Sequence, residues 1–261
     1  MAGSAPGYVE KPDYKVVLEP CAKRVRAVLG GETVADSTAM RLCHETGHLP
    51  VYYFPRADVR MDLLTPTARS THCPFKGTAS YWTVAAGGRT AEDTVWSYDD
   101  PYDEAADFAG LVAFYWDRID AWFEEDEEVF VHARDPYARI DVVASARPVR
   151  VTAAGETVAE TTRALFLFET GLPVRYYIPS NDVRMDRLTA TEKTTRCPYK
   201  GTAAYWSVAD AGDAFANVVW SYPDPIAEAG RIKDHLCFFN ERVDEITVGG
   251  KAVPRPVTKW S

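Results

Sequence analysis

CPFKGTASYW, running from Cys73 to Trp82, returns 124 positions later as CPYKGTAAYW from Cys197 to Trp206. The same interval, without a gap, separates GETVADST at Gly31 from GETVAETT at Gly155, and DVRMD at Asp58 from DVRMD at Asp182. It also separates Trp96-Ser97-Tyr98 from Trp220-Ser221-Tyr222. A period this long is several times the roughly 20–50 residues of a solenoid unit, so each copy can enclose its own core. The sequence therefore predicts a tandem duplication: a first domain over residues 13–134, a second over 135–248 and a tail over 249–261. The boundary follows the acidic run from Glu124, which cannot be buried, and falls at the Asp135-Pro136 turn signal.

Within a copy the pattern predicts strands. Val25, Ala27 and Leu29 alternate with their neighbours, and Gly30-Gly31 supplies the positive-φ pair of a two-residue hairpin leading into Glu32-Thr33-Val34. The segments 51–54, 59–63, 79–84 and 94–98 are short, β-branched or aromatic, and bounded by Pro, Gly or Asp. About six to eight strands per copy follow, mainly antiparallel, with one or two short helices. Residues 103–110 are one helical candidate. Residues 38–45 read either as a capped helix ending at Gly47 or, by their counterpart ALFLFE from Ala164, as a strand.

Composition narrows the classes. With 46% hydrophobic and 26% charged residues the chain is globular rather than disordered. No run approaches the roughly 18 apolar residues of a membrane span, and residues 1–15 carry no leader pattern, so no membrane partner and a cytoplasmic location are expected. Five cysteines without paired short spacings favour reduced thiols over a disulfide framework. A net charge of -9 argues against nucleic acid as a partner. Because a duplication can replace a homodimer, a monomer with internal pseudo-twofold symmetry is expected.

The motifs GGETVADS, YYFPRADVRMD, CPFKGTASYW and VWSYDDPY, in this order, resemble the family catalogued as domain of unknown function 427. The second copy carries the same run, so the resemblance covers nearly the whole chain. It implies compact all-β domains similar to the β-tent folds, some of which hold zinc through two CxxC pairs. No such pair exists here, and the zinc feature is not implied for this chain. A nucleotidyltransferase label attached to the family would need a phosphate-cradling glycine loop or paired metal carboxylates, and neither is evident.

Between the copies Arg41, Cys43 and His44 have become Leu165, Leu167 and Phe168, whereas Cys73-Pro74, Lys76-Gly77-Thr78 and Tyr81-Trp82 are matched in type. A cysteine before proline is held extended and a glycine after lysine permits a tight turn, so Cys73 with Lys76, and Cys197 with Lys200, are the candidate catalytic pairs. An ammonium nearby favours the thiolate nucleophile, or the lysine itself holds an anionic or carbonyl ligand; the alternative is a buried thiol beside a turn lysine reaching solvent. Arg60 and Arg184 alternate with acidic neighbours, which on a strand would place Asp58, Arg60 and Asp62 on one face, either as a ladder of charges or as an anion grip.

The candidate ligand-binding aromatics are Tyr53, Tyr81, Trp82 and Trp96, echoed by Tyr177, Tyr205, Trp206 and Trp220; strand neighbours face opposite ways, so at most half can line one cleft and the rest are core. His44, His48 and His72 have no histidine counterparts in the second copy, so neither a metal nor a cofactor nor a Ser-His-Asp triad is expected. The expected function is a small-molecule cleft in each copy, catalytic or purely binding, with a structural interaction module as the further alternative.

Overall fold

The alternation Val25, Ala27, Leu29 buries one side of a strand completely, and the chain reverses at Gly30 and Gly31, both at positive φ. In the computed structural model, which describes residues 3–258 and Ser261, this hairpin joins β2 to β3. The first unit spans Met1–Asp135 and the second Pro136–Ser261. Strands of the first are β1 (Val16–Pro20), β2 (Val25–Leu29), β3 (Glu32–Ser37), β4 (Arg41–Glu45), β5 (Val51–Pro55) and β6 (Leu64–Cys73). They continue with β7 (Gly77–Ala86), β8 (Arg89–Ser97), β9 (Leu111–Phe114), β10 (Ala121–Glu124) and β11 (Glu127–Val129).

Seven of these form an antiparallel sheet in the order β1-β4-β5-β9-β8-β7-β6, and four form a second sheet, β11-β10-β2-β3. The small sheet covers the inner face of the large one. Val25, Ala27, Leu29, Val34 and Trp122 meet Leu42, Tyr52, Phe54, Trp82, Val84 and Phe114 in one core. Each such side chain contributes about 1.5–3 kcal/mol when fully buried. The outer face carries a second core of Cys43, Tyr53, Ala79, Tyr81, Tyr98 and Ala113, roofed by Ala105 and Phe108 of a 3-10 turn.

The second unit repeats the plan strand for strand. Its strands are β12 (Ile140–Ser145), β13 (Val149–Ala153), β14 (Glu156–Thr161), β15 (Ala164–Glu169), β16 (Arg175–Pro179) and β17 (Leu188–Cys197). They end with β18 (Gly201–Val208), β19 (Val219–Ser221), β20 (His235–Phe238), β21 (Glu245–Val248) and β22 (Lys251–Ala252). The sheet orders β12-β15-β16-β20-β19-β18-β17 and β14-β13-β21-β22 are those of the first unit shifted by eleven strands. Both units are all-β, as the pattern predicts, and the duplication is complete at the level of topology.

Two expectations are corrected and one open reading is decided. Each unit has eleven strands rather than six to eight, because the edge and hairpin strands are too short or too polar to show a period. Within residues 38–45 the chain is strand from Arg41 to Glu45: β4 sends Leu42 into the inner core and Cys43 into the outer one, and β15 does the same with Phe166 and Leu167, so both faces are apolar and no alternation is visible. The segment 59–63 is not a strand. Val59 makes only an isolated bridge to Ala35, and the chain turns through two 3-10 helices, Arg56–Asp58 and Met61–Leu63.

The copies differ where their hairpins meet. Gly30 lies so close to Gly87, in the β7–β8 turn, that a Cβ on either would overlap the other's backbone. In the second unit the equivalent of Gly30 is Ala154, also at positive φ, and β19 has only three residues where β8 has nine. Among the described residues no helix is long and apolar enough to cross a membrane.

Candidate functional site

The turn between β6 and β7 is built from Pro74, Phe75 and Lys76, followed by Gly77 at φ +112. A Cβ there would press on Asp100 O and Pro101 Cα, both at 3.3 Å, so the backbone conformation favours glycine and the space around it is tight. The loop after β8 clamps this turn: Tyr102 N donates to Lys76 O at 3.2 Å, and Gly77 bridges Pro101. The second unit reproduces the clamp with Gly201 at φ +105, Pro225 as its bridge partner and Ile226 N donating to Lys200 O at 3.1 Å.

So clamped, the lysines turn inward. Lys76 and Lys200 are only 6% and 8% exposed, which overturns the picture of a turn lysine reaching solvent. Lys76 Nζ donates to Glu45 Oε2, and Lys200 Nζ donates to Glu169 Oε2 at 2.6 Å. The carboxylates stand at the ends of β4 and β15, across the large sheet from the turn. Each ammonium has two further N–H donors, and in the first unit the Tyr98 ring centroid is 5.8 Å from Lys76 Nζ. Burial, then the neighbouring Cys73 and Glu45, holds the Tyr98 hydroxyl well above the ordinary phenol range; burial, Cys197, Tyr205 and Glu169 do the same for Tyr222. Both are neutral hydroxyls at any physiological pH.

Cys73 and Cys197 end β6 and β17, half-buried at the border of this cluster. The other thiols of the outer cores are inert: burial pushes Cys43 and Cys237 up to about 12.

Strand alternation distributes the predicted aromatics. Tyr81 and Tyr205 lie on the outer face, where each hydroxyl meets a threonine, Thr71 or Thr195, at 2.8 Å, and each ring sits under a cation, Arg69 at 4.6 Å or Lys193 at 4.8 Å. Tyr53 and Tyr177 are buried on the same face, accepting hydrogen bonds from Trp96 Nε1 at 3.1 Å and Trp220 Nε1 at 3.2 Å. Trp82 and Trp206 point the other way, into the cores between the sheets. Arg60 and Arg184 leave the cluster altogether. They are exposed between two 3-10 turns and bind Asp62 and Asp186 bidentately, while Asp58 and Asp182 accept from Ser37 and Thr161 at 2.6 Å. The shared polar face expected for Asp58, Arg60 and Asp62 does not form, because the backbone there is not extended.

Glu45 and Glu169 are the residues that motif reading missed. Their signal was the triplet Glu45-Thr46-Gly47, intact as Glu169-Thr170-Gly171 inside a segment that had otherwise drifted. Thr46 and Thr170 serve the same local purpose, accepting from the backbone N–H groups of Lys15 at 2.9 Å and Arg139 at 3.0 Å.

The surroundings of the pairs differ. In the first unit Tyr14 adds a second donor to Glu45, from its hydroxyl to Oε1 at 2.8 Å. The second unit carries a bidentate Arg175–Glu241 pair with distances of 2.7 and 2.6 Å, where the first has Val51 and Asp117. Burial raises the Glu241 carboxyl, but hydrogen bonds from Arg175 and Thr258 outweigh it and leave the group below its ordinary value.

A tandem pair of two-sheet antiparallel β domains, each closing a lysine–glutamate pair under a tyrosine-rich outer face, is the class that fold and site define. The chain belongs to the family described as domain of unknown function 427, whose pattern matches residues 17–125 and again 141–249. Among curated proteins none matches the chain.

Proposed function

We propose that each copy is a binding module that holds a small anionic or carbonyl-bearing molecule at its lysine–glutamate pair, in a chain that works as a cytoplasmic monomer. The observation that carries this reading is the recurrence of the buried pair, Lys76 with Glu45 and Lys200 with Glu169. Removing two charges from water costs several kcal/mol per ion, and well-packed apolar residues of similar volume are often at least as stabilising. Stability alone therefore gives no reason to keep the pair in both copies while Cys43 at its side has become Leu167. A ligand oxygen gives one, since each ammonium has donors left over and in the first copy the Tyr98 ring lies beside it.

A second reading makes the site catalytic, with Cys73 and Cys197 as nucleophiles toward a bound carbonyl carbon. The position of both half-buried sulfurs at the cluster's border favours it. The glutamate beside each lysine weighs against it, because the carboxylate opposes the ammonium's pull on a thiolate.

Native against denaturing mass spectrometry on freshly purified chain, followed by thermal shift with acetate, succinate and pyruvate, tests the proposal. A molecule that leaves on unfolding, or a stabilisation of about 2.7 kcal/mol at a hundredfold excess over Kd, is expected. The effect should vanish when both pairs are made apolar (Lys76→Met with Glu45→Leu, Lys200→Met with Glu169→Leu). A bare chain stabilised by none of these probes, or binding that survives in the apolar variant, sinks it.

A further inference from the structure

Ahead of β1, residues 3–14 of the first unit lie along the turn that presents Lys76. Gly7 N donates to Pro74 O at 2.9 Å, Asp103 N donates to Gly3 O at 3.0 Å, and Ala5 N donates to Glu104 Oε2 at 2.8 Å. Tyr14 stacks flat on Phe75, with centroids 3.9 Å apart and planes at 9°, and Tyr8 meets the same ring edge-on at 5.1 Å. The Tyr14 hydroxyl then reaches the Glu45 carboxylate that also holds Lys76. Gly7 is fitted to this surface: a Cβ there would sit 2.6 Å from Phe75 Cε1. No residue of this arm belongs to either sheet. Its attachment is the single ring of Phe75, a few backbone hydrogen bonds and two carboxylates, Glu104 and Glu45.

We infer that the Phe75–Lys76–Glu45 face of the first copy is a peptide-docking surface, and that residues 3–14 occupy it in cis as a releasable cover over the Cys73–Lys76 turn. The surface fits a short segment with a glycine against the ring edge of Phe75 and a tyrosine seven residues on. That tyrosine stacks on the ring and donates to Glu45. Docked, the arm uses one oxygen of the carboxylate that positions Lys76; released, it leaves the turn and its thiol open. The biological use of such a cover rests on the ligand-binding proposal above, but its geometry does not.

The test is made on the full chain with Gly7→Val, which forces the arm from the ring without touching a strand, and with Tyr14→Ser, which removes the stack and the hydrogen bond at the other end. Iodoacetamide labelling is followed cysteine by cysteine by mass spectrometry. Cys73 should label about tenfold faster in Gly7→Val, the population change expected on losing one hydrogen bond and one ring contact. Cys197, in the other unit, should keep its rate, and buried Cys43 should stay silent, which separates release of the arm from unfolding. A synthetic peptide of residues 3–14 added in trans should restore protection. Should Gly7→Val expose Cys43, Tyr14→Ser decides alone. An unchanged Cys73 rate in the folded variants, or faster labelling that the peptide does not reverse, overturns the inference. Because labelling needs no ligand, failure here is distinct from failure of the binding proposal.

Discussion

Lys200 and Glu169 give the most decisive perturbation. Both side chains are 10% exposed, their hydrogen bond is 2.6 Å long, and the tyrosine that supports Glu45 in the first copy has Ala138 as its counterpart. Lys200→Met removes the cation and strands a carboxylate, and breaking a buried pair in this way costs about 3–5 kcal/mol. For a unit the size of Pro136–Ser261 that corresponds to a fall of roughly 10–20 °C in the midpoint of its unfolding transition. Adding Glu169→Leu removes the stranded charge, and the double variant should return to within about 1 kcal/mol of the parent. Calorimetry on the full chain, with the first unit's transition as an internal reference, reads both values. The reasoning fails if Lys200→Met costs less than about 1 kcal/mol, or if the double variant is as unstable as the single one.

Two smaller predictions accompany it. The Asp182 carboxyl is held at about 2, below its ordinary 3.8, by hydrogen bonds from Arg163 and Thr161; since the folded value is the lower, its contribution is complete above about pH 4 and lost as pH falls toward 2. Asp182→Asn should therefore flatten the stability curve between pH 4 and 2, and an unchanged slope in acid titration would contradict this. Gly77→Ala forces a side chain into φ +112 against Asp100 and Pro101 and should cost about 1–3 kcal/mol in denaturant unfolding, whereas Gly88→Ala, also at positive φ but with open space around it, should cost less.

Much of the fold was legible because the sequence is written twice. The constant interval between motifs assigned equivalent strands before any was located, and Gly30-Gly31 marked its hairpin by chemistry alone. β4 was ambiguous in the first copy, where Cys43 and His44 obscure it, and clearer in ALFLFE, where Phe166 feeds one core and Leu165 and Leu167 the other. The misreading at 59–63 has a physical cause: the residues alternate as a strand does, but Asp62 pairs with Arg60 two residues away and Asp58 reaches back to the Ser37 hydroxyl of β3, and both contacts are made from 3-10 turns rather than an extended chain. The lysine loop was visible from its matched turn residues. Its carboxylate was not, because Glu45 lies 31 residues before Lys76 and meets it only through the curl of a seven-stranded sheet.

The nested glycines of the first copy also bear on how a chain with two nearly identical halves avoids tangling as it folds. A strand pair from one half could in principle complete the other, a characteristic failure of tandem domains. The β7–β8 hairpin closes only over a turn that has a bare backbone at Gly30, and the matching turn of the second half presents the methyl group of Ala154 at that spot. The long hairpin therefore has a bare-backbone seat in its own half that the second half, with a methyl group in that place, does not offer.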